Sequence, residues 1–530
     1  MQNRGKLELT WVGKYDQKEI EPRILIEDKS KSYGDPRSEN MLIHGDNLIA
    51  LKALEQDYSG KIKCIYIDPP YNTGSAFEHY DDNLEHSIWL SLMKPRIELL
   101  RSLLSDDGLM FVQIDDNEQA YLRVMMDEIF GRANFLSTIT VKMSTVSGVK
   151  TTHREKTILK EKELIHVFAK NKELIKLNPQ YVPVYEWDTE FQYYLQKTES
   201  SNPEDWKVLR LKDVLEKNGI PFNPQETSFK KFVDDNKAFI WRRAFIRNKY
   251  KQISQENPEK IFRDYSEGKE HLYYRGREMF FLTDKYYDCF TEEGIVNKMS
   301  VLLADMWLDI NTGKLFNEGG VEFRNSKKPE FLIARILNLS TNLGDYVLDS
   351  FLGSGTTAAV AHKMGRKWIG IEMGEHAYTH CKVRLNKVID GEDSGGITKA
   401  VNWTGGGGYK FYELGPSLLV DNPKIPSIKQ INPEYSFEQL CEAICKLEGF
   451  KYKPQGNMHG FSSEKRFIHI AKGFVNGEYV NSILFTLGDD ESVLIYGTKI
   501  QSNLRLPDNV EIKKIPKDLL GKCTFESEVR

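Results

Sequence analysis

Six cysteines are spread over 530 residues, at positions 64, 289, 381, 441, 445 and 523, with no Cys-x-x-Cys pair among them. The spacing offers neither a disulfide framework nor a zinc ribbon, so no structural metal is expected. Cys441 and Cys445, one helical turn apart, are expected to serve packing. The segment MQNRGKLELTWVGKYD lacks the apolar core of a secretory signal. No run approaches the roughly 20 apolar residues of a membrane span. Charge of one sign is also missing. Lys and Arg number 73 against 77 Asp and Glu, a net charge of −4, which excludes a globally basic nucleic-acid binder but leaves room for a local basic cleft. A reduced, cytoplasmic, multi-domain protein is expected.

What is present is β/α alternation in two separated stretches. Met41-Leu42-Ile43 precedes His44-Gly45-Asp46-Asn47 and a helix from Leu48 to Leu54. The strand Cys64–Ile67 ends at Asp68, and a helix follows from about Ser87 to Leu104. Asp106-Asp107-Gly108 reads as a turn before the strand Leu109–Ile114, which ends in Asp115-Asp116-Asn117 and leads to a helix reaching Phe130. Alternation returns at 327–390. It comprises a helix from Pro329 to Leu339, the strand Tyr346-Val347-Leu348, a helix from Thr356 to Met364 and the strand Trp368–Ile371. This pattern predicts a doubly wound, mostly parallel α/β sheet. Between the stretches the chain is rich in Lys, Arg, Tyr and Trp, as in Trp241-Arg242-Arg243 and Tyr273-Tyr274-Arg275-Gly276-Arg277. Such mixtures suit phosphate contacts and stacking, or equally a solvated surface over a small core. Gly405–Gly408 reads as flexible punctuation. The expected organisation is an N-terminal extension at 1–39, a split α/β domain at 40–141 and 324–415, an insert at 142–323, and a small α/β domain at 416–530.

The loop Asp349-Ser350-Phe351-Leu352-Gly353-Ser354-Gly355-Thr356-Thr357 ends one predicted strand and opens a helix. Gly353-x-Gly355-x-x-Ala358 fits the dinucleotide fingerprint. Its glycines let the backbone approach a ligand, and the helix N-terminus faces an anionic group. Glu372 ends the next strand, where an acid binds ribose hydroxyls. NAD and S-adenosylmethionine both satisfy this much. Two acids favour S-adenosylmethionine. Asp349 opposes an amino group or a bound water and would repel a pyrophosphate. Asp46, ending another strand, offers a second acid for an adenine amino group. A simple tight turn would explain the glycines but not these acids.

Asp68-Pro69-Pro70-Tyr71 ends the Cys64–Ile67 strand. A base amino group is a poor nucleophile because its lone pair is delocalised into the ring. A carboxylate and a backbone carbonyl accepting its two N–H bonds redirect that lone pair toward a sulfonium methyl. Asp68 supplies the carboxylate and Pro69 the carbonyl. The two prolines preset the backbone, and Tyr71 stacks on the base. A strand-ending turn is the plain alternative. In a doubly wound sheet, Asp46, Asp68, Asp349 and Glu372 gather at the carboxyl edge. A base in a duplex reaches that edge only by flipping. A nicotinamide enzyme would leave Asp-Pro-Pro-Tyr unexplained. A methylase of a protein glutamine amide usually carries Asn-Pro-Pro-Tyr. A non-catalytic DNA-binding relic would not retain the acids and glycines. Asp489-Asp490 with Glu511-Ile512-Lys513 has the outline of a nuclease set, but alternation with Val510 and Ile512 favours an ordinary strand.

The pieces Asp68-Pro69-Pro70-Tyr71-Asn72-Thr73-Gly74, Phe111–Glu118, Asp127–Gly131, Lys328-Pro329-Glu330-Phe331-Leu332, the Asp349 loop and Gly405–Leu414 form a set. That set resembles the beta class of amino-group DNA methyltransferases, in which the catalytic motif precedes the cofactor loop. More closely, it resembles the modification subunit of type III restriction–modification systems. The likeness covers residues 40–140 and 325–415. It implies a Rossmann-like methyltransferase of permuted motif order and S-adenosylmethionine as cofactor. Asp before Pro-Pro-Tyr implies N6-methyladenine rather than N4-methylcytosine as product. The insert 142–323 would be the target-recognition domain, and Lys328-Pro329 would flank the methionine end of the cofactor. Double-stranded DNA, a homodimer, and a restriction subunit carrying helicase and nuclease are the implied partners. This chain has no Gly-x-x-x-x-Gly-Lys-Ser/Thr loop for a helicase of its own.

Overall fold

The computed structural model describes residues 8–16, 20–21, 23–72, 85–144, 155, 158–184, 186–266, 268–313, 315, 318–321, 323, 327–425, 428–463 and 465–520. Thr73 and Gly74 of the Asp68 motif and Cys523 lie outside them. The chain forms two compact units, Met1–Asn178 with Asp305–Arg530, and Pro179–Ala304.

The first unit is built on one large sheet. Across it run Leu25–Glu27, Gly408–Leu414, Met41–His44, Lys367–Glu372, Tyr346–Asp349, Ile62–Ile67, Leu104–Ile114, Lys162–Ala169, Phe135–Lys142 and Met306–Trp307. The six strands from Gly408–Leu414 to Leu104–Ile114 are mutually parallel. Ile62–Ile67 and the second half of Leu104–Ile114 are almost wholly buried. Near-continuous apolar runs of this kind mark parallel strands covered on both faces. The covering helices are amphipathic. His86–Leu103 buries Trp89, Leu90, Met93, Ile97 and Leu100 at helical spacing.

The chain order reverses at one place. From Ile62–Ile67 the next strand lies on one side, at Leu104–Ile114. From Tyr346–Asp349 the next lies on the other, at Lys367–Glu372. These two central strands are neighbours, so a crevice opens between their carboxyl ends, where doubly wound sheets bind ligands.

Two local expectations are corrected. Asp106-Asp107-Gly108 is not a turn before a strand but a bulge within the strand Leu104–Ile114. Ile62 pairs with Leu104 and Cys64 with Leu109, so the extra residues bow out between two paired ends. Lys63 Nζ holds the bulge by bonding Asp107 Oδ2 at 2.5 Å. Gly405–Gly407 is not slack punctuation either. All three have positive φ, the backbone amide of Asp35 donates to the Gly407 carbonyl, and a Cβ on Gly407 would come within 2.8 Å of His362. Glycine is needed there because backbone packs directly against its neighbours.

The stretch 142–323 divides. Lys162–Ala169 pairs antiparallel with both Leu104–Ile114 and Phe135–Lys142 in the large sheet, and Met306–Trp307 extends it. Pro179–Ala304 is the second unit, with a six-stranded antiparallel sheet, a three-stranded sheet and two small cores. Trp241 is core there, stacked on Tyr193 at 4.7 Å. Arg243 is exposed beside the same ring.

Towards the C-terminus, a capping-box helix Phe437–Leu447 packs on a five-stranded sheet. Cys441 and Cys445 are buried in its core. Val510–Lys514 is a strand parallel to Ser492–Ile500. Among the described residues, no helix is long and apolar enough to cross a membrane.

Candidate active site

The parallel register brings four predicted acids to one edge. Glu372 pairs with His44, two residues before Asp46. Asp349 pairs with Gly370, two residues before Glu372. Leu348 pairs with Ile65, three residues before Asp68. Across the sheet the order is therefore Asp46, Glu372, Asp349, Asp68, with Asp349 and Asp68 flanking the crevice.

Asp46 caps the helix Asn47–Tyr58, its Oδ1 accepting from the amides of Leu48 and Ile49 at 2.9 and 3.1 Å. Its Oδ2 pairs with Arg96 at 3.1 Å. Arg96 also bonds Asn47, whose amide donates to the Ser350 carbonyl at 2.8 Å. The first acid is thus tied to the glycine loop through one arginine. Sequence reading missed Arg96 because it sits on an otherwise ordinary amphipathic helix.

The glycine loop is shaped by its acids. Asp349 Oδ1 accepts from the Phe351 amide at 2.9 Å and Oδ2 from the Thr357 hydroxyl at 2.6 Å. Burial pushes its carboxyl up to about 7 despite those bonds. Glu372 accepts from the amides of Gly353 at 2.7 Å and Gly374 at 3.0 Å and pairs with His376 at 2.8 Å. Burial opposes its charge, but His376 and the two amides outweigh that and hold the carboxyl below its usual range. Gly355 has φ of +81° and caps the helix Thr356–Lys363. A Cβ there would meet the Cys381 backbone at 3.3 Å. Ser354 and Thr356 are buried and share a hydroxyl contact at 3.1 Å. Thr356 also accepts from Arg384 Nη1 at 2.7 Å. Phe351 is half-buried.

On the other side of the crevice, Lys328 Nζ lies 2.8 Å from Asp68 Oδ2 and 3.4 Å from Glu163 Oε2. Asp68 Oδ1 is buried without a hydrogen-bond partner among the described residues. Burial raises the Asp68 carboxyl, Lys328 lowers it, and the charge of Glu163 raises it again. Burial disfavours the Lys328 ammonium, but Asp68 and Glu163 prevail and raise it to about 12. Tyr71 donates to Glu163 Oε2 at 2.7 Å, and the Lys328 ammonium lies 4.9 Å from its ring centre. Pro69 is buried. The Pro70 carbonyl accepts from Trp89 Nε1 at 2.8 Å, and Asn72, at φ +58°, bonds buried Glu118 at 2.6 Å. These bonds preset the loop that two prolines already stiffen.

Glu163 was not foreseen. It lies in a stretch read as insert, and its strand runs antiparallel to its neighbour, so its N-terminal end arrives at the edge where parallel strands end. Leu164 pairs with Ile114, which puts Glu163 level with the carboxyl end of that strand.

Residues 62–382 match the family model N6_N4_Mtase, described as DNA methylase. The chain is 39% identical to the probable type III restriction–modification enzyme HindVI Mod subunit of Haemophilus influenzae, over 78% of this chain and 59% of that protein. It is 28% identical to the type III EcoPI Mod subunit of Escherichia phage P1, over 67% of this chain and 60% of that one. With the type III EcoP15I Mod subunit of Escherichia coli it shares 27% identity, over 95% of this chain and 89% of the relative. The chain spans about three fifths of the length of the first two relatives. The matched model covers more than half of the 530 residues and takes in both motifs that flank the crevice, and the chain belongs to the DNA methylase family.

Proposed function

We propose that this chain transfers a methyl group from S-adenosylmethionine to the N6 amino group of adenine in DNA, as the modification subunit of a type III restriction–modification system. One observation carries the reading. Asp68, part-buried and with no hydrogen-bond partner for its Oδ1 among the described residues, ends the strand next to the one that ends in the glycine loop Asp349–Thr357, at the topological switch point.

The loop residues fit this cofactor better than a dinucleotide. Two buried acids, Asp349 and Glu372, border the glycines; Glu372 suits a ribose in either cofactor, whereas Asp349 would repel a pyrophosphate. Gly353 has φ of +55°, a left-handed conformation that favours glycine. Asp46, Asp349, Phe351, Gly353, Ser354, Gly355, Thr356, Thr357, Glu372 and Lys328 are the residues that would hold it. S-adenosylmethionine, when bound, supplies an electrophilic methyl on a sulfonium. Asp68 accepts one N–H of the target amine and the Pro69 carbonyl accepts the other, making the nitrogen nucleophilic. Tyr71 stacks on the flipped base. With purified chain, labelled cofactor and unmethylated DNA, N6-methyladenine is the expected nucleoside product. N4-methylcytosine would favour the cytosine reading, and no labelled product from any DNA would sink the proposal.

Gly355→Ala is expected to weaken S-adenosylmethionine binding by about tenfold or more in calorimetry, since a left-handed non-glycine costs about 1–3 kcal/mol. Unchanged affinity would refute the loop assignment.

The insert is proposed as the DNA-reading part. Its supporting feature is Phe245, 62% exposed, with Arg247, Lys251 and Arg277 lying 5.6, 5.6 and 5.7 Å from its ring centre. An aromatic ringed by cations suits a base beside phosphates. Phe245→Ala is expected to weaken DNA binding by about 1–3 kcal/mol in anisotropy titrations, with cofactor affinity unchanged. Wild-type DNA affinity would remove Phe245 from the interface. We further propose a homodimer that joins a restriction subunit, by likeness to the Mod subunits, and a cytoplasmic location.

A further inference from the structure

The Asp68 site holds more than its motif. Glu163 Oε2 takes three donors, the Tyr71 hydroxyl at 2.7 Å, the Gln113 amide at 2.5 Å and the Lys328 ammonium at 3.4 Å. Gln113 is itself fixed by the Tyr66 hydroxyl, which donates to its Oε1 at 2.7 Å. We propose that Glu163 is a positioning residue: it anchors Tyr71 and Lys328 together, so that Lys328 takes one oxygen of Asp68 and leaves Oδ1 to the amino group of the target base. This inference rests on the function proposed above.

Three physical points support it. Two carboxylates on one partly buried site repel each other, and Lys328 between Asp68 and Glu163 lets both stay charged. A buried carboxylate oxygen without a donor is costly, by about 1–3 kcal/mol. Asp68 Oδ1 has no hydrogen-bond partner among the described residues, as expected of an acceptor kept for substrate. Finally, the Tyr71 ring stands in the catalytic motif, yet its hydroxyl is held from another strand. A carboxylate serving only the sheet would need neither the tyrosine nor the lysine. At the start of its strand it could face solvent.

The groups facing Asp68 are Lys328, Glu163, Tyr71, Tyr66 and Asp349. Glu163→Gln keeps the shape and an acceptor but removes the charge. Single-turnover methyl transfer is expected to fall about 10- to 100-fold, the cost of a modest misplacement of reacting groups. S-adenosylmethionine affinity in calorimetry is expected to hold. The acidic limb of the pH–rate profile should move to lower pH, because Glu163 no longer raises the Asp68 carboxyl. Glu163→Asp keeps the charge at shorter reach, so its rate should fall while its limb stays. If Glu163→Gln does not fold, Glu163→Asp carries the test. An active wild type whose Glu163→Gln variant has the same rate and limb, or whose Glu163→Asp variant has full rate, overturns the positioning role alone. A wild type that methylates no DNA overturns the underlying function as well.

Discussion

Asp68→Ala is expected to slow methyl transfer by about a thousandfold or more while S-adenosylmethionine still binds. The side chain is the one carboxylate of its motif, and its Oδ1 has no hydrogen-bond partner among the described residues. Without it the target amine keeps its lone pair in the ring. The cofactor loop lies on different strands and keeps its own acids, Asp349 and Glu372. Lys328 retains Glu163 as counter-ion, so the variant does not strand a buried charge. Asp68→Asn separates charge from shape. It offers the amine one acceptor but also presents donors of its own, and it is expected to be nearly as slow. Single-turnover transfer of labelled methyl, with calorimetry for the cofactor, reads both effects. Transfer at the wild-type rate by Asp68→Ala would sink the assignment.

Lys363→Met is expected to destabilise the larger unit by about 3–5 kcal/mol, the usual cost of removing one partner from a buried ion pair. Lys363 Nζ lies 2.8 Å from Glu330 Oε2 and 2.7 Å from Asp393 Oδ2, with all three side chains shielded from solvent. Arg384 completes the cluster at 2.7 Å from Glu330 Oε1, and the Ile397 amide donates to Oε2 at 3.0 Å. Burial opposes the Glu330 charge, but Lys363 and Arg384 keep its carboxyl below the usual range. Methionine fills similar space, so the loss is electrostatic. Urea midpoints measure it. Pairing Lys363→Met with Glu330→Gln should cost less than the sum of the two. A change below about 0.5 kcal/mol would show the cluster to be dispensable. The helix that ends at Lys363 begins at the glycine loop, so weaker cofactor binding is expected alongside the lower stability.

The two motifs proposed for catalysis and for the cofactor are legible because each ends an apolar strand and carries its distinctive residues consecutively. Asp68-Pro69-Pro70-Tyr71 and the Asp349–Thr357 loop needed no partner to be noticed. Within the bulge, Asp106-Asp107-Gly108 reads as a turn because Asp-Asp-Gly favours turns locally. Only pairing with Ile62 and Cys64 shows that the strand resumes on the same line. Lys162–Ala169 was absorbed into the insert because nothing in its composition says which strand it will join.

The sequence by itself determined the α/β class, the two motifs and the order in which they follow each other, since these depend on periodicity and on neighbouring residues. Tertiary structure alone decided that Ile62–Ile67 and Tyr346–Asp349 lie side by side, and therefore that Asp68 and Asp349 face one crevice. It also decided that Lys328 pairs with Asp68, that Glu163 joins them from an antiparallel strand, and that Glu330, Lys363 and Arg384 meet in the core. These are contacts between residues far apart in the chain. Their energy comes from desolvation and distance, and neither exists until the strands are stacked in order.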